Sequence, residues 1–195
     1  MTTFRQHMTD RTVEVLAGFP EASEQGTYAV TFRLDSVDQD PRFPYLAVGY
    51  TTGEQAAQAS DEAGPTDRWE ARWSYAYFPP SGLEGIRVLG HEPEKDPRGA
   101  ELYRREAVAE GLWREDDPAG DVEYERAERL DSDFRGLCVG LARELHEGGH
   151  LTAALGRAVP VILYDMFDPE EMFALTRAAN PPELIADFLA GEDAP

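Results

Sequence analysis

The feature that most constrains the fold is a period-two alternation on either side of a turn-rich connection. Between Thr27 and Leu34, Tyr28, Val30, Phe32 and Leu34 alternate with Ala29, Thr31 and Arg33. Between Tyr45 and Tyr50 the alternation returns through Leu46, Val48 and Tyr50. Successive strand side chains point to opposite faces, so both segments are expected strands with one apolar face. The stretch from Asp35 to Pro44 supplies the turn residues that let two such strands pair as antiparallel neighbours. A continuous apolar run, Val159 to Tyr164, predicts a central strand, with Pro160 near its start where a missing N–H is tolerated. Leu83 to Leu89 is a further expected strand, with Ile86 and Val88 on one side.

Helical spacing dominates elsewhere. Thr2 to Leu16 predicts a short helix that Gly18 and Pro20 stop, and Gly53 to Ser60 another. Ala100 to Trp113 predicts a helix after a charged loop from His91 to Gly99. The strongest helix runs from Val122 to Glu147, where Leu130, Phe134, Leu137, Leu141 and Leu145 share one face and Cys138 lies beside them. Asp168-Pro169-Glu170-Glu171 and Asn180-Pro181-Pro182-Glu183 both carry the signs of a helix start. Between Trp69 and Phe78 the aromatic residues fit a strand or a helix equally well. The whole predicts an α+β fold, helices packed on a mainly antiparallel sheet. Residues 1–195 are expected to form a single globular domain with a short flexible C-terminal tail.

Composition removes several function classes. With 38 acidic and 18 basic residues the formal net charge is -20. A nucleic acid would be repelled by this field, and phosphate contacts need clustered cations. No run of apolar residues is long enough for a transmembrane helix, and the polar start predicts a cytoplasmic protein. The lone cysteine excludes an internal disulfide and multi-cysteine metal sites, and beside an apolar stripe it is expected to be inert. Serine-hydrolase and nucleotide-loop signatures are missing from the sequence. No cofactor is expected. His7 and His91 sit in polar surroundings and read as surface residues.

One motif could carry chemistry. His146-Glu147-Gly148-Gly149-His150 matches the zinc-hydrolase pentad, in which two histidines four apart on a helix hold zinc and the glutamate acts as base. Glu170 is the available third ligand. Against zinc stands the glycine pair. Two helix-interior glycines cost about 2 kcal/mol together, less than zinc binding supplies, so strain alone does not decide. Position does: glycine just after the last stripe residue, Leu145, is the ordinary way to end a helix, and ending there turns His150 away. Glu170 already has a use in a first helical turn.

Two further features point to partner binding. From Glu110 to Asp133 acidic residues outnumber arginines heavily, with Glu115, Asp116, Asp117 and Asp121 at the centre. Such a segment is either a solvated face or an electrostatic landing site for a basic protein. Trp69, Trp73, Tyr75 and Tyr77 are either core residues or binding hot spots.

The strand TYAVTFRL, the segment PYLAVGYTTGE, the block from Arg68 to Tyr77 and the tail VPVILYDMFDPEE…RAANPPELIADFL resemble the bacterial domain-of-unknown-function family 4303. The resemblance spans about Thr27 to Leu189 and does not include the His146–His150 pentad. It implies no reaction and carries over no catalytic residue. Some small bacterial families of this kind resemble immunity proteins. The expected function is therefore a non-enzymatic acidic domain that binds a basic protein, in its most concrete form an immunity or antitoxin-like domain against a basic toxin. The alternative is a zinc-dependent hydrolase using His146, His150 and Glu170, with Glu147 as base.

Overall fold

The computed structural model describes residues 2–19, 26–63, 68–74, 87–114, 122–166, 168 and 170–192. Its helices are α1 (Phe4–Ala17), α2 (Gly53–Ala63), α3 (Arg68–Trp73), α4 (Pro97–Ala109), α5 (Tyr124–Glu147), α6 (His150–Leu155), α7 (Glu171–Ala179) and α8 (Ala186–Leu189). Its strands are β1 (Thr27–Ser36), β2 (Pro44–Thr52), β3 (Arg87–Gly90) and β4 (Val161–Asp165). The fold is α+β. The expected C-terminal tail falls in 193–195, and residues 83–86 of the expected strand before Leu89 also lie outside the described residues.

The sheet order is β3-β2-β1-β4. β1 and β2 pair antiparallel as expected, with Phe32 opposite Val48 and Leu34 opposite Leu46, and β2 pairs β3 antiparallel. β4 runs parallel to β1, with Phe32 beside Leu163, so the sheet is mixed. The helices between β2 and β4 return the chain to the start of β1, which makes the parallel pairing possible.

β4 is expected at the centre because Val159 to Tyr164 is a continuous apolar run, which the observed strand extends by the acidic Asp165. All five strand residues are buried, yet the strand lies at the edge. Side chains of the next helix cover that edge. Thr176 Oγ1 accepts the Leu163 N–H at 3.0 Å. Asn180 accepts the Val161 N–H through Oδ1 and donates to the Val161 carbonyl through Nδ2, both at 2.7 Å. An edge strand leaves a row of unpaired backbone groups, and these two side chains satisfy part of it.

The sheet is covered on both faces. Val30, Phe32, Leu46, Val48, Leu89, Val161 and Leu163 join one large core with α1, α4 and α5. Ala29, Ile162 and Tyr164 face a smaller core completed by Trp73 and Phe188. Along α5 the buried residues are Leu130, Phe134, Cys138, Leu141, Ala142 and Leu145. Cys138 thus stands on the stripe rather than beside it, and Leu137 is only half-buried. Burial pushes the Cys138 thiol well up, as its inert role requires.

Three helix boundaries differ from expectation, each for a local reason. α4 starts at Pro97, ahead of Ala100, because Asp96 caps it by accepting the Gly99 N–H and Pro97 takes the first turn. α7 starts at Glu171 without a side-chain cap; the Asp168 carbonyl, not its carboxylate, accepts the Glu171 N–H, and Pro169 lies outside the described residues. Asn180 ends α7 instead of starting a helix, because its side chain is committed to β4. Only a 3-10 turn at Pro182–Leu184 and the short α8 follow.

Candidate functional site

The pentad breaks where its glycines stand. α5 ends at Glu147, Gly148 closes it, and Gly149 takes a left-handed conformation at φ 68° before α6 begins at His150. Positive φ is available to glycine at no steric cost. A Cβ at Gly148 would lie 2.6 Å from the His150 ring, so that position needs glycine for space. His146 Nε2 lies 3.0 Å from Asn180 Oδ1. The Asn180 Nδ2 hydrogens go to the carbonyls of Val161 and Thr176, which fixes Oδ1 as acceptor and His146 Nε2 as donor. Burial lowers the His146 pKa and outweighs the hydrogen bond to Asn180. His146 therefore locks β4 to α5 through a shared partner. Glu147 and Glu170 are exposed, and among the described residues no three His, Cys, Asp or Glu side chains gather as a metal-binding group.

The aromatic block resolves as a helix as far as Trp73, and Tyr75 and Tyr77 lie outside the described residues. Trp73 is 3% exposed, in edge contact with Phe188 and Tyr28, so it belongs to the core and cannot present its ring to a partner. Trp69 is half-buried; it stacks on Phe173 and donates its indole N–H to the Phe188 carbonyl at 2.8 Å. Glu115, Asp116, Asp117 and Asp121 lie outside the described residues.

The exposed aromatic ring that a binding surface calls for stands elsewhere. Tyr124, the first residue of α5, is 74% exposed, with Glu123, Glu125 and Glu128 exposed around it. Its sequence signal is an aromatic residue inside an acidic run with no place in the apolar stripe. Further along α5, that helix and α4 line a groove of about 250 Å³. Phe4, Leu112, Leu130 and Phe134 floor it, and Glu106, Glu110 and Asp133 stand at its rim. Arg129 pairs with Asp133 at 2.8 Å, leaving the rim acidic. The Tyr103 hydroxyl is buried there without a hydrogen-bond partner. Burial, then Asp131, Asp133 and Glu110, push its pKa well up, so it stays a neutral phenol.

A second and larger groove, about 530 Å³, lies on the other side of α4. His91 is at its base, 3% exposed, packed against the rings of Phe43, Tyr103 and Trp113 at 5.0–5.2 Å. Burial first, and then the Arg104 charge, push its pKa down to about 4. Its Nδ1 has no hydrogen-bond partner, while the Ala100 backbone engages the ring. His91 is thus a neutral core residue, not a surface one.

His7 is half-buried and partnered. Its Nε2 contacts both oxygens of Asp96, at 2.9 and 3.0 Å. Asp96 further accepts the N–H groups of Gly90 and Gly99. Burial opposes ionisation of Asp96, but these two N–H groups and His7 together hold its carboxyl below the usual range.

No family model, no curated protein and no solved structure matches the chain. Among the described residues no helix is long and apolar enough to cross a membrane.

Proposed function

We propose that this chain is a non-enzymatic, cytoplasmic protein-binding domain whose acidic surface takes a basic protein partner, an immunity or antitoxin-like domain against a basic toxin being its most concrete form. The observation that carries the reading is Tyr124, exposed at 74% among the exposed Glu123, Glu125 and Glu128, on the same helix that lines the acid-rimmed α4–α5 groove. Tyrosine supplies a large amphipathic contact, and surrounding charges of one sign speed encounter with the opposite sign. The zinc-hydrolase alternative has less support, because His146 already serves Asn180.

The test is stopped-flow association, at low and high salt, with a basic protein sought among the products of neighbouring genes; finding none there would count against the immunity form of the reading. The on-rate should fall steeply with salt, because exposed charges are screened beyond about 8 Å at physiological ionic strength. Tyr124→Ala should speed dissociation, and Glu125→Gln with Glu128→Gln should slow association. A salt-insensitive on-rate, or full binding by the triple variant, would overturn the reading.

A further inference from the structure

The α4–α5 groove shows what a basic partner would insert, an inference that rests on the protein-binding reading and deepens it. Its shape comes from how α4 ends. Gly111, at φ 73°, turns the chain back, and the Gly111 and Leu112 N–H groups go to the Val108 and Ala107 carbonyls. This glycine closure of a helix brings Leu112 round to line the groove with Leu130, Phe134 and Leu137 of α5. Leu112 and Leu137 are half-buried, so apolar surface stays open to an occupant.

The same helix end is acidic. Glu106 and Glu110 stand one turn apart at the C-terminal end of α4, and no basic residue in its last turn offsets them. Like charges at this spacing repel, and the helix dipole is negative at the same end. Two carboxylates and a helix terminus thus converge on one side of the groove, and a cation relieves all three. Asp133 is engaged by Arg129 and Glu106 Oε1 by the Phe4 N–H, each at 2.8 Å, while Glu110 stands exposed at the rim.

An apolar trough with an acidic end matches a side chain built the same way, an alkyl stem that ends in a cation. At about 250 Å³ the groove is smaller than the roughly 300–1,000 Å³ of sites for whole small molecules, and on the scale of one long side chain. Two carboxylates favour the planar fork of a guanidinium over the point charge of an ammonium. We propose that this groove receives one arginine side chain of the basic partner protein, its stem along Leu112, Leu130 and Leu137 and its guanidinium on Glu106 and Glu110.

The probe is the blocked tripeptide acetyl-Gly-Arg-Gly-amide, titrated into the isotope-labelled full chain and read by amide chemical shifts. It should bind at about 1 mM, with the largest shifts at Ala107, Leu112, Leu130 and Leu137. The citrulline tripeptide, the same shape without the charge, should bind about tenfold more weakly, with the lysine tripeptide between them. Glu110→Gln should weaken the arginine tripeptide about tenfold. Glu54→Gln, the same change in net charge at an exposed residue of α2 outside the groove, should leave its affinity at the wild-type value. Arg129→Gln removes the competing cation and should tighten binding. No shifts at the groove up to about 10 mM would overturn the proposal. So would equal affinity for arginine and citrulline, which would mark an apolar occupant, or equal losses in Glu110→Gln and Glu54→Gln. The tripeptide is tested without a partner, so its failure strikes the groove alone, whereas a salt-insensitive on-rate strikes the protein-binding reading.

Discussion

Acid should weaken this protein through one ring. His91 is held neutral among Phe43, Tyr103 and Trp113 and beside Arg104, with its pKa down to about 4 from an ordinary 6.5. The unfolded chain therefore binds a proton that the folded chain refuses throughout that interval. Stability is fully present above the unfolded value and is lost as the pH falls from about 6.5 towards 4. At 1.36 kcal/mol per pKa unit the full loss is about 3 kcal/mol, of which about 2 kcal/mol falls between pH 7 and pH 5. Working at pH 5 keeps the protein above its isoelectric point, near 4.4. The assay is urea unfolding followed by tryptophan fluorescence at both pH values, for the wild type and for His91→Phe. With an m-value of about 2 kcal/mol per molar, the wild-type midpoint should drop about 1 M further than that of the variant. Contributions from the other histidines are common to both proteins and cancel in the difference. His91→Phe should be tolerated at pH 7 within about 1 kcal/mol, because it also removes the unpartnered Nδ1. Equal midpoint drops would refute the buried neutral ring.

Three further outcomes follow from particular hydrogen bonds and one backbone angle. Asn180→Ala leaves the Val161 N–H and His146 Nε2 unpaired and should cost about 3 kcal/mol in urea unfolding, with faster hydrogen exchange at Val161 than at Leu163, which Thr176 still holds. Asp96→Ala removes the α4 cap and the acceptor of the Gly90 N–H and should cost about 3 kcal/mol, more than His7→Ala, which strips away only one of the Asp96 partners. Gly149→Ala has open space for the new Cβ but a φ of 68°, so it should destabilise by about 1 kcal/mol. A continuous helix through the pentad would instead gain about 1 kcal/mol from the same change, and a raised urea midpoint would show it.

Local rules carried the sequence reading as far as they reach. Val30, Phe32 and Leu34 alternate because one face of β1 meets the large core, and that period predicts both the strand and its antiparallel neighbour. The position of β4 was not readable in the same way. An apolar run reports burial, and a run buried by α7 looks the same in sequence as one buried between two strands. Thr176 and Asn180 distinguish the two cases, yet each is an ordinary residue until its strand is known. Asp96-Pro97 carried a helix start that the surrounding charges concealed, whereas Asp168-Pro169 carried the same pattern without a carboxylate cap.

The candidate site was less legible, because its polar residues find their partners across long stretches of chain. His7 meets Asp96 at a separation of 89 residues, and His146 meets Asn180 at 34. A histidine with polar neighbours in sequence therefore reads as a surface residue even when the fold carries it inside. The pentad illustrates the opposite error, since its two histidines look paired through spacing alone. Gly149 separates their helices, and Asn180 gives His146 a structural task. For His91 the decisive fact is its position at the start of a turn after β3, where α4 brings Arg104 over Trp113 beside the ring. Arg104 does not stand out among the chain's basic residues until the helix sets it along an apolar groove.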